Sequence, residues 1–384
     1  MFIFITNYST NLERHLHIIS FDVPYPADYG GVIDVFYKIK ALHELGIKIH
    51  LHCFEYGRGK QFELEDYCSE VKYYHRNEGH KGFSHKLPYI VCSRSNNELL
   101  ENLLKDEYPI ILEGIHCTYL LNDERFKSRK LILRLHNVEH EYYQQLYRHE
   151  KSVLKKIYYL HESRLLKKYE KNISGKAMIL AMAEQDVKNY SKEFSPKNIF
   201  YLPVFHPLND AECIEGTGCY CLYHGNLSIA ENEAAAIWLL KKVFNDLDMP
   251  FVIAGKSPSE KLQKLSHKHH HTCLIENPGE QEMKDMICKA QINIIPSFNS
   301  TGIKLKLLSS VFNGRHCIAN ENAVGGTGLE KTCHIAETPD DFKKLIVKLY
   351  QQSFEKEEIK LRERLLSGLF DNKKNAQKLT EWIW

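Results

Sequence analysis

Short apolar runs alternate with amphipathic helical stretches along nearly the whole 384-residue chain, and the alternation begins afresh past residue 205. Residues 17–23 are apolar and bounded by Pro24 and Pro26, which predicts a buried strand. Gly30-Gly31 then opens a helix in which Val32, Val35, Phe36, Ile39 and Leu42 recur at helical spacing, and Gly46 closes it. Further strands are read at 47–54, 109–115, 130–135 and 178–182, with a helix from about Glu184. The second half repeats the scheme, with strands at 219–223, 250–254, 291–296 and 316–319 and helices from about Asn232 and Gly302. A helix between successive strands imposes parallel pairing with helices on both faces of the sheet. Two such units suit a chain of this length, since ~150–200 residues per domain is usual. Residues 202–218, rich in Pro, Gly, Asn and acids, read as the linker, with the boundary near 205.

Composition narrows the function classes. A formal net charge of +2 gives no global drive toward nucleic acid, so electrostatic binding must be local. Eleven cysteines, irregularly spaced and without a Cys-x-x-Cys, imply reduced thiols rather than a disulfide framework or a zinc finger. The Phe2–Ile5 run is too short for a signal h-region, and no run of ~18 apolar residues exists to span a bilayer. A cytoplasmic chain is expected. No Walker loop, Gly-x-Ser-x-Gly elbow or Gly-x-Gly-x-x-Gly fingerprint occurs, which argues against a P-loop NTPase, an α/β-hydrolase and a typical dehydrogenase.

Open α/β sheets bind ligands at the carboxyl ends of their strands, so the strand-to-helix turns carry the candidates. At Gly30 and Gly31, two glycines at a helix start let a ligand approach the backbone, where free N–H groups and the helix dipole favour a phosphate; a tight turn without ligand is the plainer alternative. The loop from Pro296 through Gly302 and Ile303 runs into Lys304, Leu305 and Lys306. Cations at a helix N-terminus oppose the macrodipole by roughly 0.3–1 kcal/mol each, which suggests an anion among them; two solvated surface lysines are the bland reading. His136 follows a strand directly and is placed to contact a ligand in the cleft, or is simply hydrogen-bonded near the turn.

Other signals compete. His136-Asn137-Val138-Glu139-His140 matches the His-x-x-Glu-His pattern of inverted zinc peptidases, but a strand abuts His136, so the two histidines straddle a helix start. Asp246-Leu247-Asp248 precedes a strand and so lies at the wrong end of the sheet for ligand, and His267–His271 reads as an exposed loop. No metal site is expected. Residues 148–176 carry nine Lys or Arg against three Glu, with Val153, Ile157, Leu160 and Leu165 as an apolar stripe. They read as one long helix packed on one side, whose basic face is either merely solvated or drawn to an anionic membrane or lipid-diphosphate acceptor.

The order and spacing of several pieces resemble family-4-type glycosyltransferases of the GT-B fold. The pieces are the Pro-x-x-x-Gly-Gly loop at 26–31, the His136 segment, Leu202-Pro203, His224-Gly225-Asn226, Ile253-Ala254-Gly255-Lys256, and Pro296-Ser297 through Gly302-Ile303-Lys304-Leu305-Lys306 with Asn313-Gly314. The resemblance runs from about residue 17 to the end. It implies an α/β chain of two Rossmann-like domains whose parallel sheets face a central cleft. Residues 1–205 would form the acceptor-binding domain, 206–365 the nucleotide-sugar-binding domain, and 366–384 a terminal helix returning to the first, where Trp382, Ile383 and Trp384 suit docking. It also implies transfer with retention from a UDP- or GDP-sugar to a glycan or lipid-linked acceptor, with no cofactor, no metal and no nucleic acid. Gly30, Gly31, Gly302 and Ile303 would face the donor diphosphate, Lys304 and Lys306 would clamp it, and His136 would contact the donor sugar. Asn226, Gly255, Lys256, Thr301 and Ser309 would lie near the nucleoside and donor. One departure stands out: many relatives carry two glutamates where this chain has Thr301 and Ser309. A serine offers one neutral hydroxyl where a carboxylate could accept two bonds from a ribose diol. That departure opens a second reading, a sugar-nucleotide-binding protein without turnover. A sugar-nucleotide epimerase would need cleft carboxylates that the sequence does not place.

Overall fold

The computed structural model describes residues 13–150 and 152–384; the Phe2–Ile5 run lies outside them. Among these residues thirteen strands form two sheets. The first holds β1 (His15–Ser20), β2 (Lys48–Glu55), β3 (Glu70–His75), β4 (Ile110–Glu113), β5 (Leu131–Leu135), β6 (Met178–Ala181) and β7 (Ile199–Tyr201), in the order β3-β2-β1-β4-β5-β6-β7. The second holds β8 (Cys221–His224), β9 (Phe251–Gly255), β10 (Thr272–Glu276), β11 (Ile292–Ile295), β12 (His316–Ala319) and β13 (His334–Ile335), in the order β10-β9-β8-β11-β12-β13. All pairings within both sheets are parallel. Both sheets therefore reverse direction at one place, between β1 and β4 and between β8 and β11, and such a switch point opens a crevice at the strand C-termini.

The helices of the first half are α1 (Gly30–Glu44), α2 (Tyr89–Cys92), α3 (Asn97–Leu103), α4 (Glu139–His149), α5 (Val153–Ile173) and α6 (Glu184–Phe194). Those of the second are α7 (Ala230–Trp238), α8 (Glu260–Ser266), α9 (Glu280–Lys289), α10 (Leu305–Asn313), α11 (Glu321–Val324), α12 (Pro339–Tyr350), α13 (Lys356–Gly368) and α14 (Asn372–Ile383). Strands such as β5 and β11 are buried at every residue, as parallel strands covered on both faces must be. Ala376, Leu379 and Ile383 of α14 are buried in the core of the first sheet, and Trp382 stacks on Phe200 at 5.2 Å.

Residues 148–176 do not form one helix. The chain breaks after α4, and α5 starts at Val153. The buried residues of α5 are Glu162, Ser163, Leu166, Tyr169, Glu170 and Ile173, while Val153 and Ile157, expected in the packed stripe, are 70% and 62% exposed. Only the later turns of α5 lie on the domain, and its first turns project beyond it. The segment expected to be a plain linker also begins as core: Leu202, Val204 and Phe205 are fully buried.

What fixes that crossing is a charged knot. Arg134 of β5 grips Asp34 of α1 with two bonds, Nε to Oδ2 at 3.0 Å and Nη2 to Oδ1 at 2.9 Å. Its remaining donors reach the carbonyls of Leu202 at 2.6 Å and Pro203 at 3.0 Å. Asp34 Oδ1 also accepts the Phe205 N–H at 2.9 Å. Lys38, one helical turn on, pairs with Asp34 at 2.8 Å and with Glu113 at 2.9 Å. These four side chains are at most 1% exposed. Burial alone would raise the Asp34 carboxyl, but Arg134 and Lys38 hold it far below the usual carboxylate range. Removing one partner of such a buried set strands the others without compensation. Asp34→Ala is expected to cost about 3–5 kcal/mol, read as a lowered urea midpoint with an unchanged slope.

Candidate active site

The two switch points face each other. On the first domain, the loop after β1 leads to Gly30 and Gly31 at the start of α1, and β4 and β5 end at Glu113 and His136. On the second, β8 ends at His224 and β11 leads through Pro296 and Gly302 to Lys304. Gly30 lies near Leu305 of the opposite domain, where an added Cβ would sit 3.8 Å from the leucine Cδ1. No side chain caps α1, α7 or α10 at its N-terminus, so each leaves first-turn N–H groups without a side-chain acceptor. Uncapped N-termini favour anions.

His136 Nε2 lies 2.9 Å from Glu113 Oε2. Glu113 is fully buried; burial would raise its carboxyl, but Lys38 and His136 hold it below the ordinary range. The imidazole is thus fixed from behind by a carboxylate that belongs to the charged knot. Asp34, Glu113 and His136 cluster closely enough to chelate an ion. Lys38 and Arg134 already supply two positive charges to their carboxylates, so a divalent cation there would be repelled. His140 turns away: its Nδ1 lies 2.7 Å from Glu170 Oε2. The two histidines therefore serve different carboxylates, and the zinc-peptidase reading loses its paired ligands.

The loop into α10 carries the strongest charge. Helix α10 starts at Leu305, later than the sequence suggested, and Lys304 is its N-cap residue. Lys304 Nζ donates to the Thr301 carbonyl at 2.6 Å, and Lys306 Nζ to Asn232 Oδ1 at 2.8 Å and the Tyr223 hydroxyl at 3.3 Å. Among the described residues, neither ammonium has a carboxylate within 4.0 Å. Burial pushes both below the usual lysine value, Lys306 to about 8, with Glu231 opposing the fall in each case.

The other candidates divide. Gly302 has φ +65°, and an added Cβ would strike the Asn137 side chain and the His136 carbonyl of the first domain. Its N–H donates to Asp186 Oδ2 at 3.1 Å, so in this arrangement that amide is engaged. Burial raises Asp186 to about 7. Thr301 is 1% exposed and gives its hydroxyl to Asn299 Oδ1 at 3.0 Å. Ser309 and Ile303 are half-buried on either side of the lysine pair. Gly255 is buried where any Cβ would collide with the Gly225 carbonyl, which makes it a packing glycine at the ends of β8 and β9. Asn226 and Lys256 are exposed beyond it, with the Leu227 N–H on the Lys256 carbonyl at 2.9 Å. Asp246 and Asp248 sit in the turn before β9, paired with Lys343 at 2.7 Å and His270 at 3.2 Å, far along the strand from this edge.

Three residues of the site escape sequence reading. Glu231, in the first turn of α7, accepts the Ser297 hydroxyl at 3.0 Å and acts electrostatically on Lys304, Lys306 and, across the cleft, Tyr142. Asn232 next to it holds Lys306. Glu113 backs His136. An acid at a helix start is ordinary in any sequence, and nothing local distinguishes Glu231 from such a residue.

Residues 218–352 match the family model described as Glycosyl transferases group 1. A Klebsiella pneumoniae protein, described as an uncharacterized 44.6 kDa protein in the cps region, is 29% identical over 331 residues, spanning 81% of this chain and 84% of its own. Among solved structures, a mutant of TarM from S. aureus, in complex with fondaparinux, α-GlcNAc-glycerol and UDP, superposes with a TM-score of 0.65 at 12% identity. That likeness covers 96% of this chain and 99% of that one. HepE from Anabaena, in complex with UDP and glucose, gives 0.65 at 10% identity over 96% and 99% of the two chains. The fold is GT-B, two Rossmann-like domains with parallel sheets.

Gly302→Ala tests the domain contact. A left-handed φ on a residue with Cβ costs ~1–3 kcal/mol, and the collision with Asn137 adds to it. The variant is expected to unfold at a lower temperature by calorimetry, with its first domain unchanged by circular dichroism.

Proposed function

We propose that this GT-B glycosyltransferase moves a sugar from a nucleotide-sugar donor, UDP- or GDP-linked, to a glycan or lipid-linked acceptor, with retention at the anomeric carbon and without a metal. The observation that carries this reading is the lysine pair: two desolvated ammoniums without an ion-pair partner, beside the uncapped N-termini of α1 and α10. Charge left unpaired in a partly dry cleft is costly unless a ligand completes it. A diphosphate fits both the charge and the free N–H groups.

In the proposed reaction the bond between the anomeric carbon and the phosphate oxygen breaks, and negative charge builds on the leaving diphosphate. Lys304 and Lys306, with the N–H groups around Gly30, Gly31 and Ile303, stabilise that charge. The acceptor hydroxyl bonds to the same carbon on the same face, and its proton passes to a diphosphate oxygen. His136, held by Glu113, lies on the donor-sugar side, and Asn226, Gly255, Lys256, Thr301 and Ser309 line the nucleoside side. No divalent ion is required, because the lysines supply the positive charge. Among the described residues, one grouping with metal-ligand geometry, Asp34, Glu113 and His136, has its carboxylates already paired with Lys38 and Arg134, and the other, Asp248, His270 and His271, includes the turn before β9. The donor belongs to residues 206–365 and the acceptor to residues 1–205, with 366–384 tying the two together.

Peripheral contact with an anionic membrane, at the cytoplasmic face, is part of this reading. Val153, Leu154 and Ile157 are 70%, 80% and 62% exposed, beside Lys155 and Lys156. Among the described residues no helix is long and apolar enough to cross a bilayer.

A second reading, binding without turnover, draws on Thr301. The residue standing where relatives carry a glutamate is buried and bonded within its own loop. Glu231 weighs against it, since it returns a carboxylate to the lysine pair. Calorimetry with UDP and GDP, paired with a donor-hydrolysis assay, decides: binding with turnover supports transfer, binding without any turnover supports the second reading, and no nucleotide binding sinks both.

Two predictions follow from the lysines. Lys304→Ala and Lys306→Ala should each lower turnover by ~10²–10³, measured at saturating donor; full activity in the double variant would remove the clamp. The second concerns pH. A bound diphosphate favours charged Lys306, whose pKa in the free chain is about 8. Above that pH, binding must take up a proton, so UDP affinity is expected to be flat below it and to fall above it, by up to about tenfold per pH unit. The slope should be shallower in Lys306→Met.

A further inference from the structure

A second cationic cluster lies at the C-terminal ends of β2 and β3, beside Phe21. The Phe21 ring packs 5.4 Å from His136 and 5.3 Å from His116, and its carbonyl accepts Arg94 Nε–H at 3.0 Å. The Arg94 guanidinium stands 5.5 Å from the Tyr56 ring. That of Arg76 stands 4.5 Å from the same ring and 5.6 Å from Tyr89. Two guanidiniums thus share one tyrosine ring. Arg94 is 3% exposed, and its other hydrogen bonds go to the Ile90 carbonyl and two hydroxyls. Arg76 Nε is buried with no hydrogen-bond partner.

Among the described residues, no carboxylate lies within 4.0 Å of either group. The nearby acids are committed elsewhere. Glu55 accepts the N–H groups of Gly57 and Gly59, Asp22 those of Val23 and the Tyr29 hydroxyl, and Glu162 the Tyr89 N–H. Burial raises both the Asp22 and the Glu162 carboxyl. Paired guanidiniums against aromatic faces, with donors to spare, suit an oxyanion held by forked hydrogen bonds.

The geometry points to a binding site for an anionic group of the acceptor, a phosphate or carboxylate, held by Arg76 and Arg94 over Tyr56 and Tyr89. It rests on the transferase reading in one respect, that the first domain is the acceptor's side. The anion can be carried by a glycan or by a lipid. The exposed first turns of α5 flank the cluster, since Tyr158 feels the charge of Arg76.

The test uses the full chain and calorimetry, with and without saturating UDP. Glucose 1-phosphate should bind at least tenfold tighter than methyl α-glucoside and survive UDP. The difference should shrink to within twofold in Arg76→Gln and persist within threefold in Arg76→Lys, whose circular dichroism matches the parent. Decyl phosphate separates the sources: binding tenfold tighter than glucose 1-phosphate, and weakened in Leu154→Asp, assigns the anion to a lipid, whereas equal binding assigns it to a glycan, and either supports the site. Displacement of glucose 1-phosphate by UDP, equal affinity for the phosphate and the methyl glycoside, or full discrimination in Arg76→Gln would each overturn it. UDP binding intact beside phosphate binding that does not depend on Arg76 removes this site alone. Arg76-dependent phosphate binding without UDP binding removes the donor reading alone.

Discussion

The grip of Arg134 on Asp34 is the constraint on which the rest of the structure hangs. It fastens β5 to α1, and through the carbonyls of Leu202 and Pro203 it also fastens the strand of chain that leaves the first domain. A buried ion pair is weak evidence of net stability, because desolvation can consume the Coulombic gain. Its value here is geometric. The guanidinium fork admits one arrangement of four oxygen partners, and Lys38 extends the same network to Glu113. Glu113 then aims His136. A core interaction therefore sets the position of a cleft side chain, and the same interaction sets where the second domain begins.

The two sheets place the site by topology rather than by sequence proximity. Each reverses its strand order once, and the turns at those reversals are the ones that meet. The meeting is close: the Gly302 amide reaches Asp186 of α6, and the Glu184 amide reaches the Gly326 carbonyl at 2.8 Å. Glycines occupy these crossings because a Cβ on Gly302 or Gly326 would enter the opposite domain.

Much of this frame was legible. Alternating apolar runs gave nearly every central strand, because strands buried on both faces cannot be polar, and β12 and the start of α6 lie where the pattern put them. The strands that escaped were at edges or half-exposed: β3 reads Glu-Val-Lys-Tyr-Tyr-His, β7 is three residues long, β10 has no buried residue, and β13 is two residues long. The break between α4 and α5 escaped because a basic, helix-favouring composition runs straight through it. In the site, the lysine pair announced itself by an unfavourable position at a helix start. Glu231, Arg76 and Arg94 did not, since each is unremarkable among its neighbours and becomes a functional candidate only when distant strands bring it beside other charges.

Charge in the cleft is apportioned by burial as much as by residue type. Glu139 is pushed up to about 8 by burial and by Glu170, and Asp186 to about 7 by burial, so carboxylates facing the gap tend toward neutrality. Cations in the same gap resist the opposite loss: Lys306 retains an ammonium near neutral pH despite its desolvation, and a guanidinium keeps its proton in almost any surroundings. The net field is therefore more positive than the count of acids and bases suggests. A net charge of only +2 along the chain coexists with cations on both walls of the cleft, lysines on one side and arginines on the other. Under the proposed transfer, the chemistry of the cation would separate the two ligands: point charges on flexible stems would follow a diphosphate as it departs, while rigid forks would hold an acceptor still.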